Sequence, residues 1–362
     1  MLHQLLSFLK KEKFKTFVIC LSKEGKIGKL IEGMGINVYY LDIESFFVSP
    51  FAFYKLIKYT KIISPDVIQG WMYHGNIAGI VAGKLKKIPV LWNIRHTPYF
   101  LKDEKISTRL LIRLGAFFSR YIQKIVYCSA VSADKHQLFG YPRAKTVVIP
   151  NGFDLEKYGP ARNEARIALF EKTGISKEAF LIGHIARYHP MKDHLNFIEA
   201  AGILHRQHPD VRYIMIGRGV NRQNSILMGK IDQLGLNDCF YLMGESDSLH
   251  LILPAFDLVV SSSAWGESFP LAIGEAMSCG VPCVVTDIGG SAELVGNTGK
   301  VVPPKNSQAL ADAWTSMKDL KPKERKKMGK SARERIAEHF TLESIVLKYE
   351  ELYNTIKNNH SK

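Results

Sequence analysis

The sequence predicts an α/β protein built from two parallel-sheet domains, and three observations carry that prediction. Short apolar runs rich in valine and isoleucine alternate with helical segments along the chain, the pattern of parallel sheets with helices on both faces. The 362 residues exceed what one hydrophobic core usually organises. The alternation also restarts near the middle, after a charge-rich stretch read as a linker through about Glu178.

Taken in order, residues 2–13 read as a helix. Residues 16–21, 37–41, 67–69, 90–94 and 124–128 read as buried strands, and the segment from Gly75 to Leu85 as a helix between two of them. Residues 146–154 add a strand and a closing turn. In the second half, strands are expected at 180–186, 211–217, 240–244, 258–262 and 281–287. The tail, 322–357, is charged and helical, with Ile345, Leu347, Tyr349, Leu352 and Tyr353 at helical spacing. The predicted domains are residues 1–155, 156–338, and a last helix, 339–362, expected to cross back to the first.

Hydrophobic content is 46%, ordinary for a soluble protein. No uncharged apolar run is long enough to span a bilayer, and the N-terminus lacks the basic lead and small-residue cleavage site of a signal peptide. Cys20, Cys128, Cys239, Cys279 and Cys283 have no zinc-type spacing and are read as buried free thiols of a cytoplasmic protein. The charge is uneven. Residues 1–150 hold 23 Lys+Arg against 9 Asp+Glu, and the rest of the chain holds 26 against 25, so nearly all of the net +15 sits in the first half. That asymmetry points to an anionic partner. No nucleic-acid motif accompanies it, so an anionic membrane surface or a pyrophosphate-linked lipid acceptor fits better than nucleic acid.

The densest chemical signal is Glu267-Ser-Phe-Pro-Leu-Ala-Ile-Gly-Glu275. Two carboxylates stand eight residues apart at a helix entry, after one apolar strand and before another. A helix N-terminus at the carboxyl end of a parallel sheet binds phosphates, here through amides near Phe269, Leu271 and Ala272. The carboxylates are then free to accept hydrogen bonds from sugar hydroxyls.

With Gly274-Glu-Ala-Met, Gly280-Val-Pro-Cys-Val-Val and Gly289-Gly-Ser-Ala-Glu-Leu-Val around it, this stretch resembles the E-x7-E signature of the retaining family 4 glycosyltransferases (glycosyl transferases group 1). The resemblance implies the GT-B fold, two Rossmann-like domains facing across a cleft. It implies that Glu275 binds the ribose of a nucleotide and that Glu267 contacts the transferred sugar. Arg187 and Lys192, in Gly183-His-Ile-Ala-Arg-Tyr-His-Pro-Met-Lys, resemble the family's pair that holds the donor diphosphate. Fixed cations there stabilise the charge that grows on the leaving group, so neither a metal nor a cofactor is expected. His96 matches a family histidine near the donor sugar. Gly217 and Glu245 stand at strand ends where they would shape the base pocket, and the cluster from Gln69 to Asn76 is a candidate for the acceptor. Asn151-Gly-Phe-Asp154 resembles the hinge turn. Family members open with an apolar strand and a glycine-rich loop; neither precedes the first helix here, so the first strand of the N-terminal domain is expected to be missing and its flanking strands to lack a partner.

The function implied is transfer of a hexose or N-acetylhexosamine from a nucleoside diphosphate, UDP being favoured, to a glycan or lipid-linked acceptor at the cytoplasmic membrane face. A UDP-sugar epimerase of the same fold and a non-catalytic nucleotide-binding remnant are the alternatives.

Overall fold

The computed structural model describes residues 1–43 and 50–360. The chain divides into two compact units, Met1–Gly152 with Leu342–Lys362, and Phe153–Thr341. The last two residues of the segment 339–362 lie outside the described residues.

The first unit runs α1 (Leu2–Phe8), β1 (Phe17–Cys20), α2 (Lys26–Glu32), β2 (Asn37–Tyr40), α3 (Pro50–Ile63), β3 (Ile68–Trp71), α4 (Met72–Lys86), β4 (Val90–Ile94), α5 (Ile106–Phe118), β5 (Lys124–Tyr127), α6 (Ala130–Leu138) and β6 (Thr146–Val148). Its strands form two parallel sheets among the described residues, β1-β2 and β3-β4-β5-β6. Both β1 and β3 are therefore edge strands.

The second unit continues with α7 (Arg162–Thr173), β7 (Leu181–Ile185), α8 (His194–His205), β8 (Arg212–Ile216), α9 (Ser225–Gln233), β9 (Phe240–Leu242), α10 (Leu249–Ile252), β10 (Leu258–Ser261), α11 (Leu271–Ser278), β11 (Cys283–Thr286), α12 (Ser291–Val295), β12 (Lys300–Val302), α13 (Ser307–Lys318) and α14 (Pro322–His339). All six strands are parallel, in the order β12-β11-β10-β7-β8-β9. This is the doubly wound order, in which the chain lays strands outward from β7 on one side and then resumes at β10 on the other. The last helix, α15 (Leu342–His360), packs against α1 in the first unit through Leu342, Ile345, Val346 and Tyr349 on Leu5 and Leu9.

Four expectations need correction. The stretch read as a linker contains α7, whose Ala165 and Leu169 are buried while Ile167 and Phe170 stay exposed. The charged tail is two helices, interrupted at Phe340 and Thr341, where Phe340 accepts a hydrogen bond from the Phe153 amide (2.9 Å). The opening helix stops at Phe8, with Leu9 extended. Cys20 is only partly buried; the other four thiols are buried, and all five are free.

The second unit is pinned at the amino ends of β7 and β10 by Asp257. Its Oδ2 accepts from the Leu181 amide (2.9 Å) and from Arg166 Nη2 (2.5 Å), and its Oδ1 from Arg162 Nη2 (2.6 Å). Arg166 is itself buried and caps the carbonyls of Lys177 and Ala179. One carboxylate thus ties α7 to two central strands. Asp257→Ala leaves the buried guanidinium without its counter-charge, and the expected loss is about 3–5 kcal/mol, read as a lower urea midpoint at unchanged slope.

Candidate active site

In a doubly wound sheet, ligands bind outside the carboxyl ends of the strands where the winding reverses, because the two loops there diverge and leave a crevice. In the second unit that point lies between β7 and β10, and both loops carry residues singled out above. Arg187 stands two residues past β7 and is exposed; Lys192 follows in a short 3-10 turn. Asp193 then caps α8, its side chain accepting from the Asn196 amide with left-handed backbone (φ 48°). After β10 the chain runs through Ser262, Ser263 and Ala264 to Glu267.

The two loops meet. Lys192 Nζ forms an ion pair with Glu267 Oε2. Ser263 Oγ donates to the same carboxylate oxygen (3.3 Å). Ser262 Oγ lies 2.8 Å from the Lys192 carbonyl and 3.0 Å from His184 Nε2 on β7, and the Ala264 amide donates to the Met191 carbonyl (2.8 Å). Lys192 and Glu267 are thus fixed at backbone level and by their own charges. Burial holds His184 well below its ordinary pKa, and the neighbouring His194 and Lys192 push the same way, so it supports the loops as a neutral ring.

Gly289 closes over this region from the β11 end. Its backbone is left-handed (φ 62°), and a Cβ there would lie 2.1 Å from the Glu267 carbonyl oxygen, so only glycine fits. Gly217, after β8, has the same constraint toward the loop after β7: a Cβ would lie 2.0 Å from the Ala186 carbonyl oxygen. The Gly217 amide donates to Gly244 (2.8 Å), which sets the exposed Glu245 beside it.

α11 begins after Pro270, and no side chain caps its amino end. Leu271 and Ala272 lie in its first turn, whose amides have no partner within a helix. The Phe269 ring packs on Phe340 (centroids 5.4 Å) and Phe153 (6.5 Å) in the core. Glu275 lies one turn further on. Burial pushes its carboxyl up to about 7, against the opposing hydrogen bond from Tyr158. Tyr158, Ser263 and His184 were not among the expected site residues. Tyr158 lies far from the motif in sequence, and three consecutive serines give no sign of which one faces the carboxylate.

The remaining candidates belong to the first unit. His96 follows β4; its Nε2 lies 2.6 Å from Glu104 Oε1 and its carbonyl accepts from Ser132 Oγ (2.7 Å). The cluster from Gln69 to Asn76 is mostly structural. Met72 takes a left-handed backbone (φ 60°), which turns Tyr73 into the core, where its hydroxyl meets His136 Nε2 (2.9 Å). Gln69 accepts from the Tyr353 hydroxyl (2.5 Å). His74 is exposed.

The Glu275 shift has a defined sign. Its folded pKa of about 7 lies above the ordinary 4.5, so the folded state keeps the proton longer and stability falls as pH rises through that window. Glu275→Gln should flatten the fall and raise the melting temperature above pH 7 relative to the parent, read from melting curves between pH 4 and 9.

The sequence matches two family models: Glycosyltransferase Family 4 over residues 1–157 and Glycosyl transferases group 1 over residues 165–335. It is 28% identical over 374 residues to the UDP-Gal:alpha-D-GlcNAc-diphosphoundecaprenol alpha-1,3-galactosyltransferase of Escherichia coli, covering 96% of this chain and 94% of that enzyme. It is 24% identical to the N,N'-diacetylbacillosaminyl-diphospho-undecaprenol alpha-1,3-N-acetylgalactosaminyltransferase of Campylobacter jejuni, covering 85% and 83%. Its fold matches the crystal structure of Anabaena HepE in complex with UDP and glucose at a TM-score of 0.85 and 22% identity, covering 98% and 96%. Consecutive glycosyltransferase models thus account for both halves of a chain whose second unit has the expected winding and motif, and the protein belongs to the family 4, group 1 glycosyltransferases of GT-B fold.

Proposed function

We propose that this glycosyltransferase moves a hexose or N-acetylhexosamine from UDP, with retention at the anomeric carbon, to a lipid-linked glycan acceptor in surface polysaccharide or lipopolysaccharide biosynthesis. The observation that carries the reading is the Lys192–Glu267 pair at the winding reversal. It sets a cation suited to a diphosphate against a carboxylate suited to sugar hydroxyls, beside the uncapped amino end of α11. The names of the E. coli and C. jejuni relatives specify diphosphoundecaprenol acceptors, and HepE was crystallised with UDP and glucose; these support the acceptor and donor classes.

In this reading the bond between the anomeric carbon and the diphosphate oxygen breaks while the acceptor hydroxyl adds to the same face. The acceptor proton passes to the departing phosphate oxygen. Lys192, Arg187 and the amides of Leu271 and Ala272 stabilise the charge that develops on the diphosphate. Glu267 orients the sugar, and Glu275, ionised, accepts from the ribose hydroxyls. The proposed domains are 1–155 for the acceptor, 156–338 for the donor and 339–362 as the returning helix, with His96 contacting a hydroxyl of the donor sugar. The protein works at the cytoplasmic face of the membrane.

Calorimetric titration of UDP in EDTA tests the donor half. Micromolar binding is expected, with Glu275→Ala and Lys192→Ala each weakening it at least tenfold. No binding by folded protein would leave a nucleotide-free remnant and end the proposal. With donor and a diphospholipid acceptor, Lys192→Ala should lower kcat by about 10²–10³, the scale of losing one fixed group that stabilises transition-state charge. Conversion of a UDP-sugar in the absence of acceptor would instead assign epimerase activity.

A further inference from the structure

α3 and α5 both pack against α4, and each turns an unusual stripe outward. On α3 the inward positions are Ala52, Leu56 and Thr60. The outward ones are Phe51, Tyr54, Lys58, Lys61 and Ile62, at helical spacing, with Phe51 64% and Ile62 60% exposed. On α5 the inward positions are Leu111, Ile112 and Gly115; the outward ones are Ile106, Leu110, Arg113 and Phe117, with Ile106 81% exposed. A helix of a soluble protein normally turns polar residues to water. Here the outward faces alternate large apolar side chains with lysine and arginine, and neither helix contains an Asp or Glu. Lys58, Lys61 and Arg113 form no ion pair with a described residue. Cations also sit over outward rings: Lys55 over Phe51 (4.9 Å), Arg120 over Phe117 (4.6 Å) and Lys84 over Tyr121 (4.4 Å).

We infer that the outward faces of α3 and α5 are a docking surface for an anionic lipid bilayer, into whose headgroup layer Phe51, Tyr54, Ile62, Ile106, Leu110 and Phe117 insert while the lysines and arginines meet lipid phosphates. The inference rests on the lipid-linked acceptor proposed above and names the part of the molecule that reaches it. Charge complementarity selects the occupant. The first 150 residues carry a large excess of basic side chains, and a helix face combining aromatic and aliphatic residues with cations matches the bilayer interface, apolar within and negative at its surface. A protein partner of ordinary composition would leave these cations unmatched at the centre of its interface.

Flotation with phosphatidylcholine vesicles, with and without 30 mol% phosphatidylglycerol, tests it. The protein should bind the anionic vesicles at least tenfold better, and binding should weaken with added salt. Lys58→Ala and Arg113→Ala should each reduce binding about fivefold, and Phe51→Ser with Ile106→Ser should reduce it independently of salt. Leu251→Ser, an exposed apolar residue of the second unit, should change nothing. The emission of Phe51→Trp or Phe117→Trp should shift to shorter wavelength on anionic vesicles and be quenched by brominated lipid, whereas Leu251→Trp should show neither change. Vesicle binding that ignores these substitutions, or no binding, overturns the inference. So does a dimer in sedimentation velocity that Ile106→Ser with Phe117→Ser makes monomeric, since the face would then belong to a second copy. UDP titration of the same variants separates the two readings: loss of vesicle binding with UDP affinity intact removes only the docking face, and vesicle binding without UDP affinity removes only the donor site.

Discussion

The parallel pairing of β7 with β10 is the constraint on which the second unit depends. Because β7 is laid down first and β10 last of the central strands, the loops leaving their carboxyl ends run to opposite faces of the sheet. Two groups of opposite charge, Lys192 and Glu267, can then converge at one spot although their loops are distant in sequence. At the other end of the same strands, Asp257 performs the complementary task, gathering Arg162, Arg166 and the Leu181 amide. One end of the strand pair is pinned by an ionic cluster, and the other carries the Lys192–Glu267 pair.

The electrostatics of the open end divide by what each carboxylate meets. Glu267 sits against the Lys192 ammonium and the Ser263 hydroxyl. Glu275, one turn into α11, has the Tyr158 hydroxyl and the charge of Lys157 acting on it, yet burial dominates. A nucleotide whose hydroxyls donate to Glu275 would supply the missing partners, so ligand binding and ionisation of this carboxyl are coupled. The two glutamates of the motif are alike in sequence and differ in surroundings, one paired with a lysine and the other with its carboxyl pushed up by burial.

What was legible in the sequence follows from how burial writes itself into the chain. β4, Val90–Ile94, is buried at every position and was readable as an apolar run broken only by Asn93. α7 was not, because a helix that buries only Ala165, Arg166 and Leu169 looks like a charged linker. β12 is three residues long, one of them lysine, and carries no period at all. The inward turn of Tyr73 depends on a single left-handed residue, Met72, that composition does not announce. At the candidate site, residues joined by a local motif could be read. Those joined only by the fold, Tyr158 with Glu275 and Ser262 with His184, could not, since the contact exists only once distant loops are brought together.

The separation of the first unit's strands into two sheets bears on its energetics of opening. A two-stranded parallel sheet is marginal alone. The pair β1-β2 is held by Leu6, Ile31 and Ile36 on one side, and by Ile19 and Leu21 packing toward Leu41, Leu56, Ala78 and Ala82 on the other, and by no ladder to β3. It is expected to open as a separate cooperative segment. Its amides should then exchange with solvent through a subglobal excursion that leaves β3-β4-β5-β6 intact, giving protection in this unit in two tiers.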